Sequence, residues 1–194
     1  TLLLQLLFAP HCFGHFLWVK TIDHQDQPHA LFFFGENAVD EAYHLPDRLA
    51  HTNIWLRNET SRTKLTTQRL ETAERIGLIA PLTAPLPYVL EATQQYGIYG
   101  NSLLHYHAKH IRANSANQLN SLAVSAELKL DLVPRLEKES LELTVMWNGK
   151  PLPTAELRYS VGNSEAVKAA ADKHGRAVLQ TEGEGIIAVL ANHL

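Results

Sequence analysis

Apolar and polar positions alternate in short runs along this chain, and turn-forming residues cut the runs at regular intervals. His15 to Ile22 is rich in β-branched and aromatic residues and ends in the polar cluster Asp23-His24-Gln25-Asp26-Gln27-Pro28. Ala30-Leu31-Phe32-Phe33-Phe34 follows and stops at Gly35, so the two runs predict a hairpin. Asn53 to Leu56, Lys64 to Thr67, Gly77 to Ala80 and Tyr88 to Ala92 continue the strand pattern, with Pro81, Pro85 and Pro87 between the last two. Gly97-Ile98-Tyr99-Gly100 reads as a turn before the alternating strand Leu103 to Ala108. Glu36 to Ala50 suits either a short helix or a loop.

Arg112 to Leu122 is polar, with Asn114, Ser115, Asn117, Gln118, Asn120 and Ser121, and predicts a linker or long loop. Beyond it Leu141 to Trp147 is a strand, Asn148-Gly149 a two-residue hairpin turn, and Leu152 to Val161 the return. Val167 to Ala170, the turn Asp172 to Arg176, and the strands Ala177 to Leu179 and Gly185 to Ala191 complete the pattern. Regularly spaced short strands with turn signals predict an all-β protein of two immunoglobulin-like β-sandwich units. The expected division is 15–112 for the first unit, 113–127 for the linker and 128–194 for the second. The last run ends at Leu194 with no evident closing partner, so the second unit is expected to be cut short.

With 194 residues the chain can bury a core in each of two small units. Hydrophobic residues at 45% and charged residues at 19% exclude wholesale disorder. A net charge of -3, with Lys and Arg scattered, argues against nucleic acid or an anionic membrane as the main partner. The chain begins at Thr1 without a methionine, so the start of a leader is expected to be missing. Leu2 to Phe8 is too short to span a bilayer and fits the apolar core of a signal peptide, which makes 1–14 a partial signal peptide. The competing assignment for that run is a buried first strand. Cleavage after Gly14 would leave a mature chain that starts at His15, carries no cysteine and has no transmembrane segment.

Eleven histidines set the chemistry worth considering. A free α-amine and an imidazole on His15 would form a chelate suited to Cu(II) or Ni(II). His105 and His107, two apart on a strand, share a face roughly 6.5–7 Å apart and could hold one metal between them, with Glu36 or His15 as a third donor. A solvated or hydrogen-bonded pair is the equally weighted alternative. His24 and His29 beside Asp23 and Asp26 read as a solvated hairpin tip, and His174 as a turn residue. Phe32-Phe33-Phe34, Trp18 and Trp55 are expected in the core. The chain has no G-x-S-x-G, H-E-x-x-H, phosphate loop or dinucleotide fingerprint, so it is not expected to be an enzyme.

Asn148-Gly149-Lys150-Pro151-Leu152-Pro153-Thr154-Ala155-Glu156-Leu157 and Asp172-Lys173-His174-Gly175-Arg176-Ala177 resemble the transthyretin-like, or carboxypeptidase-regulatory, type of sandwich. His15-Phe16-Leu17-Trp18, Leu31-Phe32-Phe33-Phe34-Gly35-Glu36, Tyr96-Gly97-Ile98 and Leu104-His105-Tyr106-His107-Ala108-Lys109 resemble an exported family grouped with the periplasmic component of nickel and cobalt uptake systems (NikM-like). The resemblance covers nearly everything after the leader. It implies a periplasmic or extracellular protein that binds nickel, cobalt or a similar ion for uptake or homeostasis, alongside a membrane permease. His105 and His107 stand where the family mostly has aromatic residues, so their role as ligands is inferred from their spacing alone. Two other functions compete with this one: a structural or carbohydrate-facing surface module without metal, and a copper-dependent oxidase built on an N-terminal histidine. Zn(II) is a further candidate ion.

Overall fold

The computed structural model of the chain describes residues 14–137, 140–181 and 185–193. Residues 1–13 of the expected leader lie outside the described residues. Among the described residues the architecture is all-β with one short α-helix. β1 (Phe16–His24) and β2 (Gln27–Gly35) form the expected hairpin. Its turn is tighter than the polar cluster suggested, because only Gln25 and Asp26 leave the ladder, with φ of 52° and 60°. Two successive positive φ values match the right-handed twist of the flanking strands. A single 3-10 turn, Asp47–Leu49, is the only helical piece between Glu36 and Ala50.

β3 (Asn53–Arg57) pairs with β4 (Arg62–Lys64), and β5 (Gln68–Glu71) pairs with β6 (Ile76–Pro81). β7 (Tyr88–Tyr99) and β8 (Ser102–Arg112) make a long hairpin. The turn expected at 97–100 is confined to its last residues, because β7 continues to Tyr99. A bulge between Gln95 and Gly97 lets it do so, leaving Tyr96 as the extra residue. The strands combine into two four-stranded sheets, ordered β1-β2-β6-β5 and β4-β3-β7-β8.

α1 (Ala116–Leu122) occupies the stretch expected to be loop. Ser115 caps it, its hydroxyl accepting from the Gln118 N–H at 3.3 Å. β9 (Leu130–Glu137) was not evident in the sequence pattern; Pro134 interrupts it, which an edge strand tolerates. β10 (Ser140–Trp147) turns at Asn148-Gly149, with φ of 50° and 74°, into β11 (Lys150–Pro151). The return strand is shorter than the hydrophobic pattern predicts. Pro151 and Pro153 cannot donate to a ladder, Thr154 adopts φ 57°, and the chain crosses to another sheet as β12 (Glu156–Val161). β13 (Val167–Ala170), β14 (Arg176–Leu179) and β15 (Ile187–Ala191) follow. β10 lies between β9 on one side and β11 and β14 on the other, while β13-β12-β15 forms the fourth sheet. The final strand does find a partner, since β15 pairs with β12 along five residues.

Each of two large cores is shared by two sheets. Leu17, Val19, Phe32 and Phe34 of the first sheet meet Ile54, Leu56, Leu90, Ala92 and Ala108 of the second. Phe33 and Leu31 point the other way and are also fully buried, beneath Trp18 and Leu70. Burial on both faces explains the uninterrupted Phe32-Phe33-Phe34 run. Trp18 and Trp55 are half-buried rather than core; the Arg62 guanidinium covers the Trp55 ring at 4.0 Å. In the second half Leu141, Leu143 and Val145 pack with Leu157, Tyr159 and Ala177.

A Cβ at Gly77 would collide with the Phe32 carbonyl oxygen on the adjacent strand. Gly77→Ala is therefore expected to cost about 1–3 kcal/mol, because β2 and β6 must part to admit it. Urea unfolding would measure the loss, and an unchanged midpoint would refute so close an approach.

Candidate functional site

One edge strand from each of the four sheets, β1, β8, β9 and β15, lines a common cavity of about 540 Å³. β8 borders it along its length from His105 to Arg112. Alternation along β8 divides its side chains. Tyr106 and Ala108 join the first core, whereas Lys109 reaches Asp131 on β9 and His107 bonds across its ladder pair to Thr93. His105 therefore shares a face with His107 and Lys109.

The Thr93 hydroxyl lies 3.1 Å from His107 Nδ1, and His107 Nε2 is buried with no hydrogen-bond partner. Burial holds the ring's pKa below the ordinary histidine value; the positive charges of His105 and Lys129 add to this and Asp131 opposes it. The ring is thus neutral near pH 7, with one nitrogen oriented by a hydroxyl and the other without a partner. A metal-ligating imidazole commonly has one nitrogen held in this way. His110, on the opposite face of β8, also buries an unpartnered Nε2.

His15 lies elsewhere. Its ring stacks on Tyr43 at 3.8 Å and on Phe34 at 5.5 Å, and its carbonyl accepts from the Tyr106 hydroxyl at 3.4 Å. The bulge at Tyr96 brings that ring into the same cluster, 6.3 Å from Phe34 and 5.7 Å from Tyr106. Glu36 is exposed, one residue beyond the last ladder pair, Phe16↔Gly35, as His15 is on the other strand. The four expected ligands thus fall into two pairs: His15 with Glu36 at the open end of the β1–β2 hairpin, and His105 with His107 on β8. Tyr106, which touches His15, points away from the face that carries His105 and His107. Among the described residues no group of three or more His, Cys, Asp or Glu side chains is placed to hold a metal ion. His24 and His29 meet edge-on at 5.3 Å at the hairpin tip, and the His174 backbone N–H donates to the Asp172 carboxylate within its turn.

Buried charge beside β8 was not foreseen. Asp131 and Glu91 are 3% and 1% exposed. Asp131 pairs with Lys109 and accepts from the Ser125 N–H at 2.8 Å. Glu91 takes Arg57 at 2.9 Å and Arg62 at 3.5 Å. Arg57 also donates to the carbonyls of Leu122 and Val124, and Lys109 to that of Ala123. These cations satisfy carbonyls at the end of α1, so the segment expected to be a linker is bonded to β3 and β8 before it, and through Asn120 to Leu136 of β9 after it. A lone charge inside the apolar run Tyr88-Val89-Leu90-Glu91-Ala92 was the available signal for one such pair.

Comparison of the chain with protein-family models and with curated proteins finds no match. Among the described residues no helix is long and apolar enough to cross a membrane.

Proposed function

We propose that this chain is an exported, periplasmic or extracellular binding protein for a divalent transition metal of the nickel or cobalt type, serving uptake or homeostasis alongside a membrane permease. The supporting observation is His107, with Nδ1 on the Thr93 hydroxyl and Nε2 buried and unpartnered, two residues from His105 on one face of β8. Imidazole nitrogen suits Ni(II), Co(II), Cu(II) and Zn(II) alike. His15, as a mature N-terminus, and Glu36 would supply a second, separate donor pair. The two shared cores support a reading of the four sheets as two sandwich units, 15–112 and a transthyretin-like 128–194, joined by 113–127.

Calorimetric titration of the secreted protein with the four ions tests this, together with mass spectrometry of its N-terminus. His107→Ala is expected to weaken binding at least tenfold, as loss of a ligand from a two-histidine site should. Binding that survives both His105→Ala and His107→Ala would remove β8 from the site. No binding of any of the four at micromolar concentration would leave the alternative, a surface module without metal. That alternative draws support from Ile98, Tyr99 and Leu103, exposed by 73%, 64% and 54% at the tip of the β7–β8 hairpin.

A further inference from the structure

The cavity between the four edge strands has properties that the metal reading does not use. Its volume, about 540 Å³, lies within the range of small-molecule sites. Leu130, Leu132, Leu136, Ile187 and Val189 line it; each packs on the second core with one side yet stays half-buried. An apolar body in the cavity would complete their burial and remove that surface from water.

The charges around the cavity are mostly compensated. Lys20 is paired with Glu41 at 2.5 Å and donates to the Ala38 carbonyl at 3.0 Å. Lys109 is paired with Asp131. Arg112, exposed at the end of β8, has no ion-pair partner among the described residues. The β9 and β15 side of the cavity is therefore apolar, and Arg112, at one end of β8, is a cation without an ion-pair partner among the described residues. From His105 to Arg112 β8 runs seven residue steps, roughly 23 Å at 3.3 Å per residue.

We propose that this cavity binds an aliphatic monocarboxylate as a free monomer, its chain along the leucines of β9 and the edge of β15 and its carboxylate on Arg112. A guanidinium is the side chain best shaped for that head group, since it offers two parallel N–H donors to two oxygens. His105 and His107 line the same cavity, but the contacts proposed here are those of Arg112, β9 and β15, so titration with the acid is read separately from titration with a metal ion.

Titration of the full chain with dodecanoate, followed through displacement of an environment-sensitive fluorescent probe, tests the inference. Trp18 lines the cavity and offers an intrinsic signal as well. Saturable one-to-one binding is expected. Leu132→Trp fills the cavity and should weaken it at least tenfold; Ile187→Trp does the same from β15 should the first variant fail to fold. Arg112→Gln should weaken dodecanoate about fivefold or more and leave dodecanol unchanged. The proposal is overturned by any of three results: no saturable binding, undiminished binding in the folded, cavity-filled variant, or equal losses for acid and alcohol in Arg112→Gln. Binding to phosphatidylcholine vesicles but not to the free acid would likewise overturn it.

Discussion

Asp131→Ala is expected to cost about 3–5 kcal/mol of stability, the largest loss foreseen for any single substitution here, because it strands a buried cation. Lys109 has 8% of its side chain exposed and Asp131 3%. Burial pulls the Lys109 pKa down, and the Asp131 carboxylate is the chief influence opposing it. The same carboxylate accepts the Ser125 N–H, which the alanine would leave without its acceptor. The Ala123 carbonyl remains bonded to Lys109 at 2.6 Å but carries no neutralising charge. Urea unfolding followed by tryptophan fluorescence would measure the effect. The double variant Lys109→Met with Asp131→Leu should recover most of the loss, because it removes both desolvated charges and refills their volume. A cost below about 1 kcal/mol for Asp131→Ala would mean that the pair is solvated, as surface pairs of that worth are.

The second large effect is acid sensitivity centred on His110. Its pKa falls from 6.5 to about 4, chiefly by burial and further by the positive charges of Arg112 and Lys20. The folded state therefore binds fewer protons here than the unfolded chain between those two values. Stability from this group is complete above pH 6.5 and is lost as pH falls toward 4. At 1.36 kcal/mol per pH unit the gap amounts to about 3 kcal/mol. Carboxylates titrate over the same range, so the informative quantity is the difference between the wild type and His110→Phe. Phenylalanine is a somewhat larger ring that cannot titrate, and it forfeits no hydrogen bond at Nε2, since Nε2 has none. The variant should unfold at nearly the same urea concentration at pH 7 and resist acid better by pH 4.5. Parallel pH profiles for the two proteins would contradict the assignment.

Both effects concern β8, and β8 shows how far the sequence could be read. Its alternation was legible: Leu103 to Ala108 marked the strand, and period two placed His105 and His107 on one face whatever the fold. Asn148-Gly149 marked its turn for an equally local reason, since few other residue pairs accept two positive φ values. The partners of β8 were not legible. Nothing local to Lys109 announces Asp131, and nothing near Glu91 announces Arg57 or Arg62, because those contacts cross 22, 34 and 29 positions of chain. Proline at 151 and 153 ended the expected return strand, yet which sheet received the chain afterward depended on the core that Leu157 and Tyr159 could join.

The separation of His15 from His105 and His107 is a further case. All three lie within one stretch of strand-forming sequence each, and the reading that joined them needed only proximity. Tertiary packing sent the His15 ring onto Tyr43 and the two β8 histidines toward the opposite face. By itself, then, the amino-acid order determined that this chain would form strands, where most of them turn, and which side chains share a face, since backbone sterics and side-chain period act within a few residues. The folded arrangement decided which faces meet, which charges lose their water and where four strand edges leave a cavity, because burial and electrostatics depend on distances in space that no spacing along the chain records.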